Sequence, residues 1–168
     1  MKNKLIIYEL NELPKKLINY YINLKPSSNL AYIFKKGIYL DTFTTDKGEL
    51  HPWSTWPTFY RGVDNSFHQL KFINQEKEIA NNYPPVWEIL KKNNISIGIF
   101  GTLQSYPPLK GENIKFYLPD TFAPSSEAYP NSLQRFQKFN LRVCANNSAV
   151  SKSIGFKEIL NFINCLIN

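Results

Sequence analysis

A helix that is followed at once by a buried strand restricts the possible folds of this chain more than any other segment. Two prolines begin the helix Tyr83–Asn94, and two asparagines end it. The next residues, Ile95–Phe100, are a short apolar run of the kind that forms a buried strand. Because helix, tight turn and strand in this order are typical of parallel sheets, we expect an α/β fold with a mostly parallel sheet flanked by helices.

Other segments fit the same pattern. Apolar runs predict three more strands, at Lys4–Tyr8, Ile38–Phe43 and Ile114–Leu118. Apolar residues at helical spacing predict four more helices: one that Pro14 opens and Lys25–Pro26 closes, one that Ser27 or Ser28 caps and Gly37 ends, Asn131–Phe139 and Phe156–Ile167. A polar loop, Thr44–Pro52, precedes an aromatic and hydroxyl-rich stretch, Trp53–Gly62.

The composition excludes several classes of protein. With 168 residues, 43% of them hydrophobic and 15% aromatic, the chain can bury a core and is not intrinsically disordered. No apolar stretch approaches the roughly 20 residues that a membrane span needs, and the apolar run Leu5–Tyr8 is too short for a signal peptide. Two cysteines, Cys144 and Cys165, form no disulfide framework. We therefore expect a cytoplasmic protein.

The net charge of +7 comes from lysines that are spread along the sequence. Only three of the 20 positive residues are arginines, and the lysine pairs fall in or at the ends of predicted helices. Such lysines keep a surface solvated and complement helix dipoles, whereas nucleic-acid readers cluster their cations on one face. We expect no nucleic-acid partner. The alternative, a lysine-rich nucleic-acid binder, predicts a steeply salt-dependent affinity.

The first candidate site follows the first predicted strand. Glu9, Asn11 and Glu12 come directly after Tyr8. Ligands of open α/β sheets gather at the carboxyl ends of strands, and a carboxylate there can hold a metal or organise a phosphate site. The structural alternative is that Asn11 and Glu12 cap the next helix, and spacing alone favours it.

The second candidate site is a group of hydroxyls around Pro57. Ser54, Thr55 and Thr58 lie between a loop and a helix-like run. A hydroxyl at a helix amino end either caps free amides or acts as a nucleophile that the helix dipole and a metal ion activate. Capping is the commoner role. The two histidines, His51 and His68, lack metal-ligand spacing and are expected in a loop or the core.

The order of these pieces resembles the alkaline phosphatase superfamily, in particular its type I phosphodiesterase and sulfatase-like branch. Strand Leu5–Tyr8 ends at the acidic residue Glu9, where that family places its first metal ligand, usually Asp. The segment "NLAYIFKKGIYLDTFTT" is similar to the family's helix, glycine and strand that lead to the nucleophile loop.

Two later segments continue the resemblance. "HPWSTWPTFYRGVDNSFHQL" is similar to the family's hydroxyl–x–Pro, helix, Gly and His pattern, with His68 six residues after Gly62. "PPVWEILKKNNISIGIFG" looks like the family's helix–strand unit, in which a Trp-containing helix precedes the next sheet strand. The match covers about the first 130 residues, and its ordered set is more specific than any single piece.

The resemblance implies a metal-dependent hydrolase of phosphate mono- or diesters or of sulfate esters. In that case Glu9 is the metal ligand and zinc or manganese the metal. Thr55 is the nucleophile, with Ser54 and Thr58 as alternatives. The oxyanion contacts would be Asn11 and Arg61. The implied partner is an anionic phosphate- or sulfate-ester substrate.

The sequence also departs from the family. Glu9 stands where Asp is usual, and Thr55 to Gly62 is shorter than the family's spacing. The family takes most of its metal ligands from the second half of a longer chain, but only Glu158 is acidic after Glu127, and no histidine follows it. We therefore expect residues 1–168 to be a single incomplete, amino-terminal α/β domain that is inactive or weak alone. The alternative is a non-catalytic binding module of the same fold.

Overall fold

Helices flank a short parallel sheet in this protein. The structure is a computed structural model, and it describes residues 4–73, 75–144, 155–156, 159–160 and 162–163. Within these residues the chain has α/β character, as the sequence predicts, and its strands run parallel. The chain divides into two compact units, Met1–Thr44 and Thr45–Asn168.

The first unit contains two helices whose ends follow the sequence signals. Helix α1 spans Lys15–Leu24, directly after Pro14, and helix α2 spans Asn29–Lys36. The side chain of Ser28 caps α2 by accepting a hydrogen bond from the backbone N–H of Ala31 at 3.2 Å. Both helix predictions are therefore confirmed.

Two strand predictions in the first unit are wrong. Neither Lys4–Tyr8 nor Ile38–Phe43 forms a strand, and Leu5 is 85% and Ile38 91% exposed. An apolar run indicates only that a segment favours burial. A strand also requires an adjacent strand that supplies its hydrogen bonds. Neither segment has such a ladder among the described residues.

The second unit holds the remaining elements. Its α-helices are α3 (Pro52–Arg61), α4 (Asn65–His68), α5 (Val86–Lys92) and α6 (Gln134–Cys144), and its strands are β1 (Ile97–Phe100) and β2 (Ile114–Leu118). Short 3₁₀ helices occur at Lys77–Ala80 and Asn131–Leu133. The helix–strand unit α5–β1 and the strand β2 confirm their predictions, and α6 continues beyond the predicted end at Phe139.

Strands β1 and β2 form the sheet of the described residues. Ile99 pairs with Tyr117, and Gly98 lies against the ring of Phe116, which approaches within 2.5 Å of where a Cβ of residue 98 would stand. A side chain at Gly98 would thus displace that ring. On the other edge of β2, Tyr117 forms an antiparallel bridge with Tyr129.

The hydrophobic core lies where helices α3 and α5 pack on this sheet. Its buried members come from α3, α5 and both strands: Tyr60, Trp87, Ile97, Ile114 and Tyr117. Trp56 and Leu90 pack against them, and the rings of Tyr60 and Trp87 are 5.0 Å apart. This packing fixes α3, the helix that carries the predicted hydroxyls, against the sheet.

The predicted last helix, Phe156–Ile167, lies partly outside the described residues. Phe156, Ile159, Leu160, Phe162 and Ile163 are helical, and the ring of Phe162 lies 5.5 Å from that of Phe139. Across the described part of the chain, no helix has the length and apolar character needed to cross a membrane.

Candidate functional site

Helix α3 places its three hydroxyls in different surroundings. Ser54 is 1% exposed, and its Oγ accepts a hydrogen bond from Asn65 Nδ2 at 3.1 Å. Thr55 is half-buried, and its hydroxyl donates to the carbonyl of His51, one turn earlier, at 3.1 Å. Both residues lie in the first turn of α3, and both hydroxyls serve local structure.

Thr58 has different partners. Its Oγ1 lies 2.6 Å from Asp46 Oδ1 and 2.9 Å from His68 Nε2, and the residue is half-buried. These contacts join three segments of the second unit: the loop before α3, α3 itself and α4. Among the three predicted hydroxyls, that of Thr58 contacts both a carboxylate and an imidazole.

The hydrogen-bond pattern assigns the protons in this group. The backbone N–H of Leu70 donates to His68 Nδ1 at 3.0 Å, so a neutral ring carries its proton on Nε2 and donates it to Thr58. The single hydroxyl proton of Thr58 then goes to Asp46 at 2.6 Å rather than to the carbonyl of Ser54 at 3.2 Å, because the carboxylate is the shorter and charged acceptor. The protons thus run from His68 to Thr58 to Asp46.

Asn65 holds the Asp46 loop against the two helices. Its side chain accepts from the N–H of Lys47 at 3.0 Å and donates to the carbonyl of Lys47 at 2.9 Å. Its backbone N–H donates to Asp46 Oδ1 at 2.8 Å. Because Asn65 is buried and also contacts Ser54, it fixes the position of Asp46 beside α3.

Pro57 links helix α3 to the loop after β1. A proline has no N–H, so the carbonyl of Trp53, four residues earlier, lacks its helical donor. Gln104 Nε2 donates to that carbonyl at 2.9 Å. The proline between the candidate hydroxyls is therefore a connection point between α3 and the carboxyl end of the sheet.

Burial controls the protonation of His68. The residue is 0% exposed, and burial lowers the pKa of its imidazole below the usual value, while the charge of Asp46 opposes this shift. A neutral ring agrees with the hydrogen bond that Nδ1 accepts from Leu70. His68 therefore stays a donor to Thr58 at neutral pH.

Arg61 does not join this hydrogen-bonded group, and Glu9 and Asn11 belong to the first unit. Arg61 donates from Nη1 to the carbonyls of Ala80 and Tyr83, and no contact to Thr58 is recorded for it. Glu9 is half-buried and Asn11 exposed in the first unit. Their roles as metal ligand and oxyanion contact stay predictions.

The group around Thr58 does not fit a metal ion. In residues 4–73, 75–144 and the described positions after them, no three His, Cys, Asp or Glu side chains form a group that could hold one. His68 uses the lone pair of Nδ1 for the Leu70 amide and carries its proton on Nε2, so it offers no lone pair to a metal. Asp46 and His68, and no metal ion, are therefore the groups that can act on the hydroxyl of Thr58.

Sequence reasoning missed two members of the group. Asp46 and Asn65 carry no sequence signal, because their contacts to α3 span 12 and 11 residues and follow no local spacing. The spacing of His68 from Gly62 indicates this residue, but it does not predict the contact with Thr58. The sequence predicts neither helix of the group in place: the three hydroxyls lie inside α3 and not before it, and α4 and the loop that returns to α3 carry no local signal.

Comparison of the chain with family models, with curated proteins and with solved structures finds no match in any of the three. The resemblance to the alkaline phosphatase superfamily therefore stays a prediction.

Proposed function

We propose that this protein hydrolyses phosphate or sulfate esters, weakly when alone, and that Thr58 is its nucleophile. The observation that carries the proposal is the position of Thr58 Oγ1, which is 2.6 Å from Asp46 and 2.9 Å from His68. A hydroxyl next to a group that can take its proton is the usual arrangement of an activated nucleophile. Among the three predicted nucleophiles, these contacts favour Thr58 over Ser54 and Thr55.

Asp46 and His68 have separate roles in the proposed reaction. Thr58 Oγ1 forms a bond to phosphorus or sulfur, the bond from that atom to the alcohol oxygen breaks, and the hydroxyl proton passes to Asp46. Asp46 then returns this proton to the leaving alcohol. The Nε2–H of His68 donates to the attacking oxygen and stabilises the negative charge that develops on it. A water molecule then gives a proton to Asp46 and attacks phosphorus or sulfur, the bond from that atom to Thr58 Oγ1 breaks, and Asp46 returns the proton to Thr58.

A divalent metal at Glu9 remains a separate prediction. The resemblance implies zinc or manganese there, but the described residues offer no group of three ligands, so no step above uses a metal. Calorimetric titration with zinc tests the prediction. Glu9→Gln should weaken binding if Glu9 is a ligand, whereas Glu112→Gln, at an exposed carboxylate outside the candidate sites, is the control and should not.

Hydrolysis of bis(para-nitrophenyl) phosphate and para-nitrophenyl sulfate tests the proposed function. Thr58→Ala should lower kcat/KM by at least about 1000-fold, because it removes the nucleophile. Asp46→Asn should lower it by about 100-fold, the usual effect of losing a general base. Thr55→Ala is the control and should retain activity. The proposal fails if Thr58→Ala hydrolyses both esters as fast as the unchanged protein.

The second candidate function is a non-catalytic binding module. All three hydroxyls form hydrogen bonds within the fold, Thr58 to Asp46 among them, which favours a structural role for this segment. In that case Thr58→Val should destabilise the fold, and no variant at position 58 should alter ester hydrolysis. Thermal unfolding of Thr58→Val and Thr58→Ser, measured beside their activity, separates the two functions.

A further inference from the structure

A second polar site lies beside the loop that follows β1, and Thr58 is not among the residues that line it. It is a cavity of about 170 Å³ between the 3₁₀ helix Lys77–Ala80, the start of α5 and the loop after β1. Its charged and polar lining residues include Arg61, Lys77, Glu78, Glu88, Gln104 and Ser105. Loops at the carboxyl ends of parallel strands are where α/β proteins bind their ligands.

The two cations in the wall retain hydrogen-bond donors. Two N–H groups of the Lys77 ammonium donate to the carbonyls of Gln104 and Tyr106, which leaves a third. Arg61 uses Nη1 for the backbone, and its Nε and Nη2 have no recorded acceptor among the described residues. Both side chains are thus held in place by the backbone while part of each donor set stays available.

Burial removes part of the hydration of these two cations, and a bound anion would replace it. Burial lowers the pKa of Lys77 to about 8 and lowers that of Arg61, because a charged group loses hydration in the cavity wall. An oxyanion next to the two groups would compensate for the lost hydration.

The opposite charges of the cavity are not paired with each other. Glu78 and Glu88 line the cavity, but neither forms an ion pair with a described lysine or arginine. The charge of Glu88 still offsets part of the pKa lowering of Lys77 and Arg61, so these groups lie within electrostatic range. The wall therefore presents two cations and two carboxylates that remain open to a ligand.

Two buried oxygens also lack partners in the described structure. Ser105 is 2% exposed, and neither its Oγ nor Gln104 Oε1 has a hydrogen-bond partner. Buried polar atoms are nearly always hydrogen-bonded, and exceptions occur at functional sites. Both residues line the cavity, so polar side chains stand beside its charged ones.

We propose that this cavity binds a small zwitterion, with its oxyanion group at Arg61 and Lys77 and its ammonium group at Glu78 and Glu88. A cavity of about 150 Å³ holds a molecule the size of benzene, so a ligand of about six to eight non-hydrogen atoms fits. The two sources of this chemistry are a small amino acid and an aminoalkyl phosphate. The site rests on the cavity wall and does not depend on the reaction proposed for Thr58.

Titrations followed by NMR on the ¹⁵N-labelled chain test the proposal. The zwitterionic probes are alanine and phosphoethanolamine; propionate and ethyl phosphate lack the ammonium group, and ethanolamine lacks the oxyanion. We expect one zwitterion to shift the amide signals of Gln104 and Ser105 and to bind at least about tenfold more tightly than its two half-analogues. The probe that binds identifies the source, carboxylate or phosphate.

Substitutions that remove a charge from the cavity wall provide a second test of the proposal. Lys77→Met and Glu88→Gln should each weaken the zwitterion by about tenfold, since each removes one charged contact. Glu88 is exposed, so Glu88→Gln leaves the fold intact even if Lys77→Met does not. Lys71→Met and Glu76→Gln, exposed and outside the lining, are the matched controls. The proposal is overturned if neither zwitterion binds, if a half-analogue binds as tightly, or if Glu88→Gln leaves the affinity unchanged.

Discussion

His68 combines complete burial with two hydrogen bonds that require one particular protonation state. Its Nδ1 accepts from the N–H of Leu70, and its Nε2 donates to Thr58. Adding a proton to Nδ1 would break the first bond and place a charge in a buried position. The pKa of the imidazole is lowered because the buried ring is unfavourable to protonate.

The stability of the protein should therefore fall as the pH drops below 6.5. The folded-state pKa of His68 lies below the usual 6.5, so the unfolded chain binds more protons in this range, and acidification favours unfolding. Urea unfolding at pH 7.5 and pH 5.5 measures the loss. His68→Gln should show a smaller loss between the two pH values, whereas His51→Gln should keep that of the unchanged protein. An equal loss in both variants would contradict the role given to His68.

Lys77 predicts a second pH range, above pH 8, in which stability again rises with pH. Its folded-state pKa is about 8 and its ordinary value 10.5, so between these the unfolded chain binds more protons and stability rises with pH. The gain is at most about 3 kcal/mol, and solvent screening of the half-buried side chain reduces it. Lys77→Met should remove the rise between pH 8 and 10 in urea unfolding. The exposed Lys71→Met should preserve it, and a rise that persists in Lys77→Met would refute this assignment.

At the scale of elements, helix α3 depends on a partner outside itself. Pro57 cannot donate to the carbonyl of Trp53, and Gln104 donates instead. The loop after β1 is thereby tied to the helix that carries Thr58. This connection makes the geometry of α3 sensitive to a residue that is 51 positions away in the sequence.

A double-mutant cycle measures that dependence. Gln104→Ala should destabilise the protein by roughly 1–2 kcal/mol, because the Trp53 carbonyl loses its donor. In a Pro57→Ala background the restored N–H can serve that carbonyl, so Gln104→Ala should cost less there. Chemical unfolding of the four proteins gives the coupling energy. Identical costs in the two backgrounds would show that Gln104 acts elsewhere.

The elements that could be predicted are those with local causes. Ser28 and Gly37 mark the ends of α2, and the run Ile95–Phe100 contains β1 because its apolar residues are adjacent in the sequence. The run does not predict the burial pattern of the strand, since Ile97 is buried but Phe100 is 67% exposed. The runs at Lys4–Tyr8 and Ile38–Phe43 have the same local pattern but form no strand. Strand formation depends on a neighbour that the sequence of the run itself does not specify.

At the scale of the whole molecule, both proposed sites belong to the second unit, Thr45–Asn168. The group around Thr58 and the cavity beside Lys77 are assembled by loops that pack on α3 and on the carboxyl end of the sheet. The sequence shows which residue types are present, and it indicates the hydroxyls of α3. It does not predict that Asp46, Thr58 and His68 lie together, because only tertiary contacts join them.

The position of Thr58 also changes the expected source of activation. The hydroxyl–proline pattern suggested a nucleophile at the start of a helix, where the dipole helps an anion. Thr58 lies in the last turns of α3, so its activation must come from Asp46 and His68. These contacts therefore assign the activation of the proposed nucleophile to two side chains and not to the helix dipole.

Mass spectrometry of a covalent intermediate tests the central claim most directly. After incubation with bis(para-nitrophenyl) phosphate and acid quenching, trypsin releases the peptide Gly48–Arg61, which contains all three candidate hydroxyls. Fragmentation should locate the phosphoryl adduct on Thr58, and Asp46→Asn should reduce it while Thr55→Ala should not. An adduct on Ser54 or Thr55, or no adduct on this peptide, would contradict the account.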